Sequence, residues 1–513
     1  MELLSLYAVS LATAALLIWF HQAEVIRATP GDKSKHKKKR LPPGPWTLPI
    51  IGSSHHVMRG LGHRTMVELS CRHGPLMLLR LGEVPTLVVS SVEAAELVMK
   101  THDLAFCSRP TTSVTIDIVG CKGKGIAFAT YGDHWRQMKK IVVTELLCAT
   151  QVKRIDSIRA EEVGYLLRSV AAAAARAGVV NISEEVKALG PDIVARAMFG
   201  GKCTEKSDFI VQYDEVSKLL SGFFPVDLFP SSRLVRLLSI SERRLAKIYG
   251  CIQRIIETII ESRKAAKNEA CSAEQEDLLG VLLRLQEEDS LTFLLTSEII
   301  GAVMFELFGA ATTTIGSTLE WAMSELMKKP EAMVKAQQEV RKVLGGSRGV
   351  ITNTDLVELG YIRMVIKEVL RLHPPNPLLV PRESREECEI LGYHIPKGTK
   401  VLVNVFAISG DPRYWSSPED FNPERFENCD IDYKGTNFEF TPFGAGRRQC
   451  PGIMFATTTL EVALVNLLYH FDWVLPDGVS PDMVDMSEKY GMGVSKKLDL
   501  HLRAIPYGHS SAA

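Results

Sequence analysis

Apolar residues recur at helical spacing along most of the chain between residues 91 and 345, which predicts a mainly helical protein. Two other stretches, 76–90 and 388–405, contain short apolar runs interrupted by turn residues such as Gly82 and Gly392, which is typical of small β-sheets. The pattern therefore predicts a mainly α fold with small β-sheets. The longest predicted helices cover 135–148, 152–177, 241–265, 296–328, 361–373 and 453–470.

Leu3 to Phe20 is an uncharged, mostly apolar run of 18 residues. As a helix it would be about 27 Å long, close to the thickness of the hydrocarbon core of a bilayer. Six basic residues follow between Lys33 and Arg40, and the positive-inside rule places them and the rest of the chain on the cytoplasmic side. A cleaved signal peptide or a core helix is the alternative, but Glu2 precedes the run, where a signal peptide carries positive charge. The predicted organisation is a transmembrane anchor over 1–22, a basic and proline-rich hinge over 23–45 and one large domain over 46–513.

Composition narrows the class of protein. The 513 residues are 46% hydrophobic, which allows a large core, and no Gly/Ser-rich or acidic linker divides the predicted domain. Lys plus Arg equals Asp plus Glu at 60 each, so no overall basic field favours nucleic acid. The ten cysteines form no CxxC pair and no cluster with zinc-ligand spacing, which indicates reduced thiols and not a disulfide framework.

One cysteine lies in a distinctive loop. Residues 443–452 read Phe-Gly-Ala-Gly-Arg-Arg-Gln-Cys-Pro-Gly and directly precede the predicted helix 453–470. A cysteine binds metal as a thiolate, and Arg447, Arg448 and the start of a helix all favour the charged sulfur. The glycines let the backbone turn tightly and approach a flat cofactor. These features leave two interpretations open: a thiolate ligand at Cys450, or a Gly/Arg-rich surface loop with an incidental cysteine.

This loop resembles the haem-binding signature of the cytochrome P450 family, Phe-x-x-Gly-x-Arg-x-Cys-x-Gly, at every fixed position. Three more segments resemble signatures of that family, in its order and spacing. They are Glu368-x-x-Arg371, the run Pro423-Glu424-Arg425-Phe426, and Trp135 with Lys139, where the family usually has arginine. The likeness covers essentially the whole chain and points to the plant microsomal (A-type) enzymes of specialised metabolism.

The resemblance implies a haem b cofactor with Cys450 as its axial thiolate and metal ligand. It also implies a buried ionic network of Glu368, Arg371 and Arg425 that locks the core near the haem. Lys139 keeps the positive charge of the usual arginine but loses its bidentate geometry, and Arg136 is a candidate substitute. The predicted cofactor-binding residues are Trp135, Lys139, Arg382, Phe443, Arg448, Cys450 and Gly452, with Trp135, Lys139, Arg382 and Arg448 directed to the two haem propionates.

The predicted helix 296–328 departs from the family pattern Ala/Gly-Gly-x-Asp/Glu-Thr. Thr314 matches the catalytic alcohol that helps to deliver protons, but Ala311 replaces the glycine and Thr313 replaces the acid. A hydroxyl passes a hydrogen bond without being a proton reservoir near neutral pH. Glu306 lies eight residues before Thr314, about 12 Å along the helix axis, so it is no direct substitute. Thr314 and Thr313 are therefore the predicted catalytic residues.

By analogy with the family, an apolar substrate pocket lies over the haem, although core packing explains the same residues equally well. The predicted pocket residues are Val114, Ile118, Phe305, Ala310, Leu378, Leu379 and Met492.

The function implied is that of a monooxygenase that hydroxylates or epoxidises a lipophilic terpenoid or aromatic metabolite. No dinucleotide-binding or Walker motif occurs, so NADPH would act through a separate NADPH–cytochrome P450 reductase, with cytochrome b5 as a further candidate partner. The expected location is the endoplasmic reticulum membrane, with a single span and the catalytic domain on the cytoplasmic side. Two alternatives are a haem-thiolate isomerase or dehydratase that needs neither O2 nor reductase, favoured by Ala311 and Thr313, and a non-catalytic haem protein.

Overall fold

The computed structural model describes residues 39–200, 206–220, 224–266, 277–288, 291, 293–346, 348–356, 358–491 and 493–508. The helices of eight residues or more are α1 Gly62–His73, α2 Asp133–Ile141, α3 Asp156–Ala177, α4 Ile182–Phe199, α5 Lys206–Leu220, α6 Ile240–Ala266, α7 Leu278–Glu287, α8 Ser297–Lys328, α9 Pro330–Leu344, α10 Gly360–Leu372 and α11 Ile453–His470. Shorter α-helical turns cover Ser54–Val57, Val92–Glu96, Asp103–Phe106, Val114–Val119, Ala149–Arg154, Pro225–Leu228, Arg233–Leu238 and Val405–Ser409.

The strands are short and form four small sheets. They are β1 Leu76–Leu81, β2 Val84–Val89, β3 Val180–Asn181, β4 Arg382–Glu383, β5 Cys388–Ile390, β6 Tyr393–Ile395, β7 Lys400–Val403, β8 Phe471–Val474, β9 Glu488–Tyr490, β10 Val494–Lys496 and β11 His501–Pro506. The largest sheet has the order β1-β2-β7-β4, in which β2 and β7 are parallel and the other pairs are antiparallel. The predicted fold class, mainly α with small β-sheets, is confirmed.

The proline-rich segment after the described N-terminus packs along the largest sheet. The carbonyl of Pro43 accepts the backbone N–H of Leu78 in β1 at 2.8 Å. A Cβ on Gly44 would lie 2.1 Å from the carbonyl oxygen of Leu78, so only glycine fits this approach. The predicted anchor over 1–22 lies outside the described residues.

Helix α8 runs through the centre of the core and packs most closely on α4. Two glycines permit this contact, because a Cβ on Gly190 would lie 2.7 Å from the carbonyl oxygen of Ala311 and one on Gly316 would lie 2.8 Å from Cα of Lys187. Apolar side chains such as Val303 and Phe308 are fully buried along α8. The close contact with α4 therefore fixes the position of the 309–314 segment.

Two described helices, α8 and α11, are long and apolar enough to span a bilayer by length and composition. In this fold 67% of the most apolar 18-residue stretch of α8 is buried inside the protein, and so is 72% of the corresponding stretch of α11. A helix that is apolar on all sides is expected in the core of a large domain, so both are core helices.

Candidate active site

The cysteine loop turns tightly in front of helix α11. Gly444 and Gly446 adopt φ values of 69° and 68°, which L side chains rarely adopt. A Cβ on Gly446 would lie 2.1 Å from the carbonyl oxygen of Met99, so the glycine is also required by space. The backbone N–H of Cys450 donates to the carbonyl of Phe443 at 3.0 Å, which closes the loop and places the half-buried Cys450 just before the N-terminus of α11.

Burial and the neighbouring polar groups act in opposite directions on the pKa of the Cys450 thiol. Burial raises the pKa of Cys450, while a hydrogen bond from the backbone of Gly452 and the nearby ammonium of Lys139 lower it. The side chain of Lys139 donates to the carbonyl oxygen of Gln449 at 2.8 Å. The structure therefore places Lys139 on the cysteine loop itself, and a contact between Lys139 and a haem propionate stays a prediction.

Beside this loop, three mostly buried arginines converge. Arg448 donates to the carbonyls of Cys107, Ile126 and Ala129 at 2.6, 3.2 and 2.5 Å, and its guanidinium lies 4.3 Å from the ring centroid of Trp135. The indole of Trp135 donates to the same Ile126 carbonyl at 3.1 Å. Trp135 and Arg448, which come from separate motifs and were each predicted to bind the haem propionates, are thus brought into contact.

Arg382 and Arg109 complete the group. Arg382 donates to Asp103 at 3.1 Å and to the carbonyl of Ala445 at 2.9 Å. Arg109 donates to the carbonyls of Ala127, Val380 and Pro381 at 2.7, 2.7 and 2.9 Å. Sequence reasoning missed Arg109, because its one signal, an arginine between the apolar segment 104–107 and a proline, is also typical of a surface turn.

The arginine group carries more positive than negative charge. Burial, together with the neighbouring guanidiniums, lowers the pKa of Arg109 well below its usual value and that of Arg448 to about 10. Asp103 offsets one positive charge, and burial raises the pKa of Glu306, the other nearby carboxyl, to about 7. Buried charge is costly unless it is paired. The surplus therefore fits an anionic group at this place, such as the two propionates of haem.

Helix α8 presents an open face in the middle of the core. Ala310 is exposed and Thr312, Thr313 and Thr314 are half-buried, although Gly309 and Ala311 beside them are buried. An exposed alanine at the centre of a core helix indicates open space on that side. The hydroxyl of Thr314 donates to the carbonyl of Ala310 at 2.7 Å, which keeps its oxygen available as an acceptor. The predicted catalytic residues Thr313 and Thr314 thus lie on the face of α8 that is open.

The predicted pocket residues fall into three groups. Val114 and Ile118 lie half-buried on the turn Val114–Val119, and Leu378 and Leu379 lie half-buried in the segment before β4. Leu379 has a φ of 50° and is close to the cysteine loop, since a Cβ on Gly444 would lie 3.5 Å from its Cδ1. Phe305 is buried between the rings of Tyr213 and Tyr249, at centroid distances of 5.3 and 4.9 Å. Met492 lies outside the described residues.

In the ionic network behind the loop, Glu368 and Arg371 are fully buried and Arg425 is mostly buried. Arg371 donates to both oxygens of Glu368 at 2.7 and 2.8 Å, and Arg425 donates to Glu368 at 2.9 Å. The backbone N–H of Asn422 adds a further bond to Glu368 at 2.9 Å. Arg371 also donates to the carbonyls of Ser409 and Pro418. Such a network stabilises one arrangement of the core because each charged group has its partners.

A half-buried cysteine at a helix N-terminus, an adjacent surplus of positive charge and an open helix face together define a haem-thiolate site. The chain belongs to the cytochrome P450 family, whose model matches residues 42–502. It is 46% identical to desmethyl-deoxy-podophyllotoxin synthase of Sinopodophyllum hexandrum (91% of this chain, 92% of that one) and 44% identical to 5-epiaristolochene 1,3-dihydroxylase of Nicotiana tabacum (92% and 94%). A solved structure of a zebrafish cytochrome P450 with progesterone is similar at a TM-score of 0.74 and 25% identity, covering 86% of this chain and 99% of that one.

These findings confirm the predicted family and the enzyme class, an oxidoreductase of the monooxygenase type. They also confirm the predicted cofactors, a haem with a cysteine thiolate ligand and NADPH acting through a reductase. Membership of the family implies a redox partner and a lipophilic substrate.

Proposed function

We propose that the chain is a membrane-bound monooxygenase that hydroxylates or epoxidises a terpenoid or aromatic specialised metabolite. The observation that carries the proposal is the position of Cys450 just before α11, in a glycine-shaped loop next to three arginines with surplus positive charge. Relatives named as a 5-epiaristolochene 1,3-dihydroxylase and a premnaspirodiene oxygenase support the substrate class.

Different residues of the site would hold the iron and the propionates of the haem. Haem with a thiolate ligand supplies, when bound, the activation of dioxygen with two electrons and the transfer of one oxygen atom to the substrate. Cys450 would hold the iron, and Lys139 fixes the carbonyl beside it. Arg448, Arg382 and Arg109 would hold the propionates, because their guanidiniums share one buried region and their charge is not fully balanced.

The open face of α8 serves the proton and the substrate. The hydroxyl of Thr314 donates to the Ala310 carbonyl, so its oxygen can accept a hydrogen bond from a water molecule that brings a proton. Among the described residues no side chain or backbone group bonds the hydroxyl of Thr313, which leaves it free to extend the same path. The half-buried Val114, Ile118 and Leu379 would provide apolar contacts that orient a lipophilic substrate.

A basic rim on the outside of the cysteine loop is suited to an acidic electron-donating partner. Arg447 and Lys100 border a groove of about 380 Å³ against the loop, and both side chains are exposed. Complementary charge would speed the encounter with NADPH–cytochrome P450 reductase, and cytochrome b5 would use the same surface. Lys100→Glu should slow reduction by the reductase, more so at low salt, while Lys218→Glu on α5 should not.

The proposed location is the endoplasmic reticulum membrane, with one span over 1–22 and the catalytic domain on the cytoplasmic side. Large apolar side chains are exposed near the described N-terminus, at Trp46 and Ile51, and on the segment before α6, at Leu237 and Leu238. The turn Pro225–Leu228, which precedes the second part in the chain, lies near the first: the N–H of Gly82 donates to the Ile51 carbonyl, and the N–H of its neighbour Glu83 donates to the Leu228 carbonyl. Large exposed apolar side chains on neighbouring segments favour contact with a membrane.

The test is a carbon monoxide difference spectrum of reduced microsomes that contain the chain, followed by product profiling with a co-expressed reductase. The wild type should show the thiolate-type absorption and form an oxygenated product only with NADPH. Cys450→Ser should lose both, whereas Cys388→Ser, a half-buried cysteine on β5, should retain both. A Cys450→Ser protein that still oxygenated its substrate would refute the assignment.

A second candidate function is a haem-thiolate isomerase or dehydratase that uses neither O2 nor reductase. It is favoured by Thr313, which stands where the family has a carboxylic acid for proton delivery. Product formation that continues without NADPH and under exclusion of oxygen would support this function against the monooxygenase.

A further inference from the structure

Glu306 is a buried carboxylate on α8 that the proposed oxygen chemistry does not use. Only 7% of its surface is exposed, and its two oxygens accept three successive backbone N–H groups. Ile126 and Ala127 donate to Oε2 at 2.5 and 2.9 Å, and Phe128 donates to Oε1 at 3.4 Å. Consecutive N–H groups directed at one carboxylate form an anion-binding concavity in the backbone. Glu306 therefore holds a loop that is 180 residues away in sequence.

The loop is shaped to fit this carboxylate. A Cβ on Gly125 would lie 2.2 Å from Oε2 and 2.5 Å from Oε1 of Glu306, closer than any real contact. Glycine is thus the one residue that permits the carboxylate to approach the backbone here. The residues 125–129 are called the strap loop from here on.

The opposite side of the strap loop faces the arginine group. The Ile126 carbonyl accepts Trp135 and Arg448, the Ala127 carbonyl accepts Arg109, and the Ala129 carbonyl accepts Arg448. The N–H groups of the loop thus point to Glu306 while its carbonyls point to the indole and two guanidiniums. Moving the loop by a fraction of an ångström would move all of them, because each peptide unit is rigid.

Burial raises the pKa of Glu306 to about 7, and the three backbone N–H groups and the charge of Arg109 oppose that rise. Arg448 and Tyr249 are the other ionisable groups near Glu306. A carboxyl in so apolar a place is costly unless it has partners, and here all its described hydrogen-bond partners are on the strap loop.

We propose that Glu306 is a positioning residue for the cofactor: through the strap loop it fixes Trp135, Arg109 and Arg448 for the haem propionates, although it would touch no part of the haem. The inference rests on the haem site of the proposed function. It assigns to the carboxylate of α8 a role in cofactor retention in place of a role in proton delivery. Glu306 and Gly125 then form one functional unit.

The experiment measures haem retention in the purified full-length holoprotein in detergent. Excess apomyoglobin takes up released haem, and its absorbance gives the rate of loss. Glu306→Ala and Gly125→Ala should each lose haem about tenfold faster or more, the effect of removing one charge-assisted hydrogen bond. Glu306→Gln, which keeps the shape and one acceptor oxygen, should lie between these and the wild type.

Glu298→Gln is the matched control. Glu298 is also on α8 and pairs with Lys124 next to the strap loop, but it is half-exposed and bonds a side chain instead of the backbone. Hydrogen–deuterium exchange of peptides over 125–129 gives a second readout, because Glu306 protects three of those amides. Exchange should rise in the Glu306 and Gly125 variants and stay at the wild-type rate in Glu298→Gln.

Two results would overturn the inference: haem loss from Glu306→Ala within twofold of the wild-type rate, or faster loss with unchanged exchange in the strap loop. If Glu306→Ala folds poorly, Glu306→Gln, Gly125→Ala and the double variant decide. Gly125→Ala with Glu306→Gln should lose haem no faster than the more affected single variant, and additive effects would contradict a shared unit. A wild type without a thiolate-type spectrum would instead refute the proposed function, so the two failures are distinguishable.

Discussion

Replacing Glu368 by alanine should cost the protein its haem as well as part of its stability. The carboxylate is fully buried and accepts four hydrogen bonds, two from Arg371, one from Arg425 and one from the backbone of Asn422. Alanine removes all four acceptors and leaves two guanidiniums with no carboxylate partner in a buried region. Breaking a buried ion pair in this way costs about 3–5 kcal/mol. That is a large part of the total stability of a domain, about 5–15 kcal/mol.

The damage should reach the haem through a row of aromatic rings. The guanidinium of Arg371 lies 5.3 Å from the ring of Trp415, which lies 6.2 Å from that of Phe440. Tyr433 continues the row at 6.4 Å from Phe440 and 5.4 Å from Phe443 in the cysteine loop. Because these rings are packed in contact, displacement of the network would shift the loop that carries Cys450.

The assay is the molar ratio of haem to purified protein, together with the free energy of unfolding in denaturant. Glu368→Ala should contain little haem and Glu368→Gln an intermediate amount, since the amide retains one acceptor oxygen. Glu288→Ala is the control, because its exposed pair with Arg284 on α7 is worth only about 0.2–0.5 kcal/mol. Normal haem content in Glu368→Ala, with an unfolding free energy within about 1 kcal/mol of the wild type, would refute the reasoning.

Three further predictions follow from the same structure. Gly446→Ala should abolish haem binding because its Cβ would meet the Met99 carbonyl. Gly478 has a φ of 81° and open space around it, so the control Gly478→Ala should cost only the backbone strain of about 1–2 kcal/mol. The haem content and the free energy of unfolding of both variants test this prediction. Burial alone would raise the pKa of Glu488, but hydrogen bonds from His63 and Arg64 lower it to about 2. The Glu488 carboxylate therefore stabilises the fold at pH values above the usual glutamate pKa, and this stabilisation is lost as the pH falls toward the lowered pKa. Glu488→Gln should therefore be less stable than the wild type near neutral pH, with a difference that shrinks as pH falls toward 2 in denaturant titrations. Thr313→Asp should raise the amount of product formed per NADPH consumed, and an unchanged ratio would show that the missing acid is irrelevant.

The sequence predicted the helices and strands more completely than it predicted the residues of the candidate active site. The helices with a strong apolar period were predicted within a few residues, as for α8 and α11, because burial of one face determines both the period and the element. The segment predicted as one helix over 135–148 is α2 followed by a wider π-helical turn, Val142–Leu146. A single extra residue in a turn leaves the apolar period almost unchanged, so the sequence pattern does not register it.

The site residues with distinctive local motifs, such as Cys450 and Glu368, were predicted from sequence. Arg109 and Glu306 were not, because their partners are distant: Arg109 bonds carbonyls 18, 271 and 272 residues away, and Glu306 bonds amides up to 180 residues away. Phe305, which was predicted to line the substrate pocket, packs against the rings of Tyr213 and Tyr249. Which neighbours such a residue meets depends on the rotation of α8 about its axis, and the local sequence does not determine that rotation. Local sequence fixes the residue types, and tertiary packing decides which of them meet.

Ala311 and Thr313, the two residues of α8 that depart from the family pattern, have different physical consequences. The carbonyl of Ala311 lies against α4 at Gly190, where an added Cβ would approach it to 2.7 Å, so this side of α8 is closed by packing. Thr313 lies on the opposite, more open part of the surface with Ala310 and Thr314. A proton that reaches Thr314 must therefore come along the open face, where hydroxyl groups and water are the available carriers. Glu306 cannot supply it, because its carboxylate is enclosed by the strap loop. The two candidate functions therefore differ at the open face of α8: a monooxygenase needs protons to be delivered along it, whereas an isomerase that uses no O2 does not.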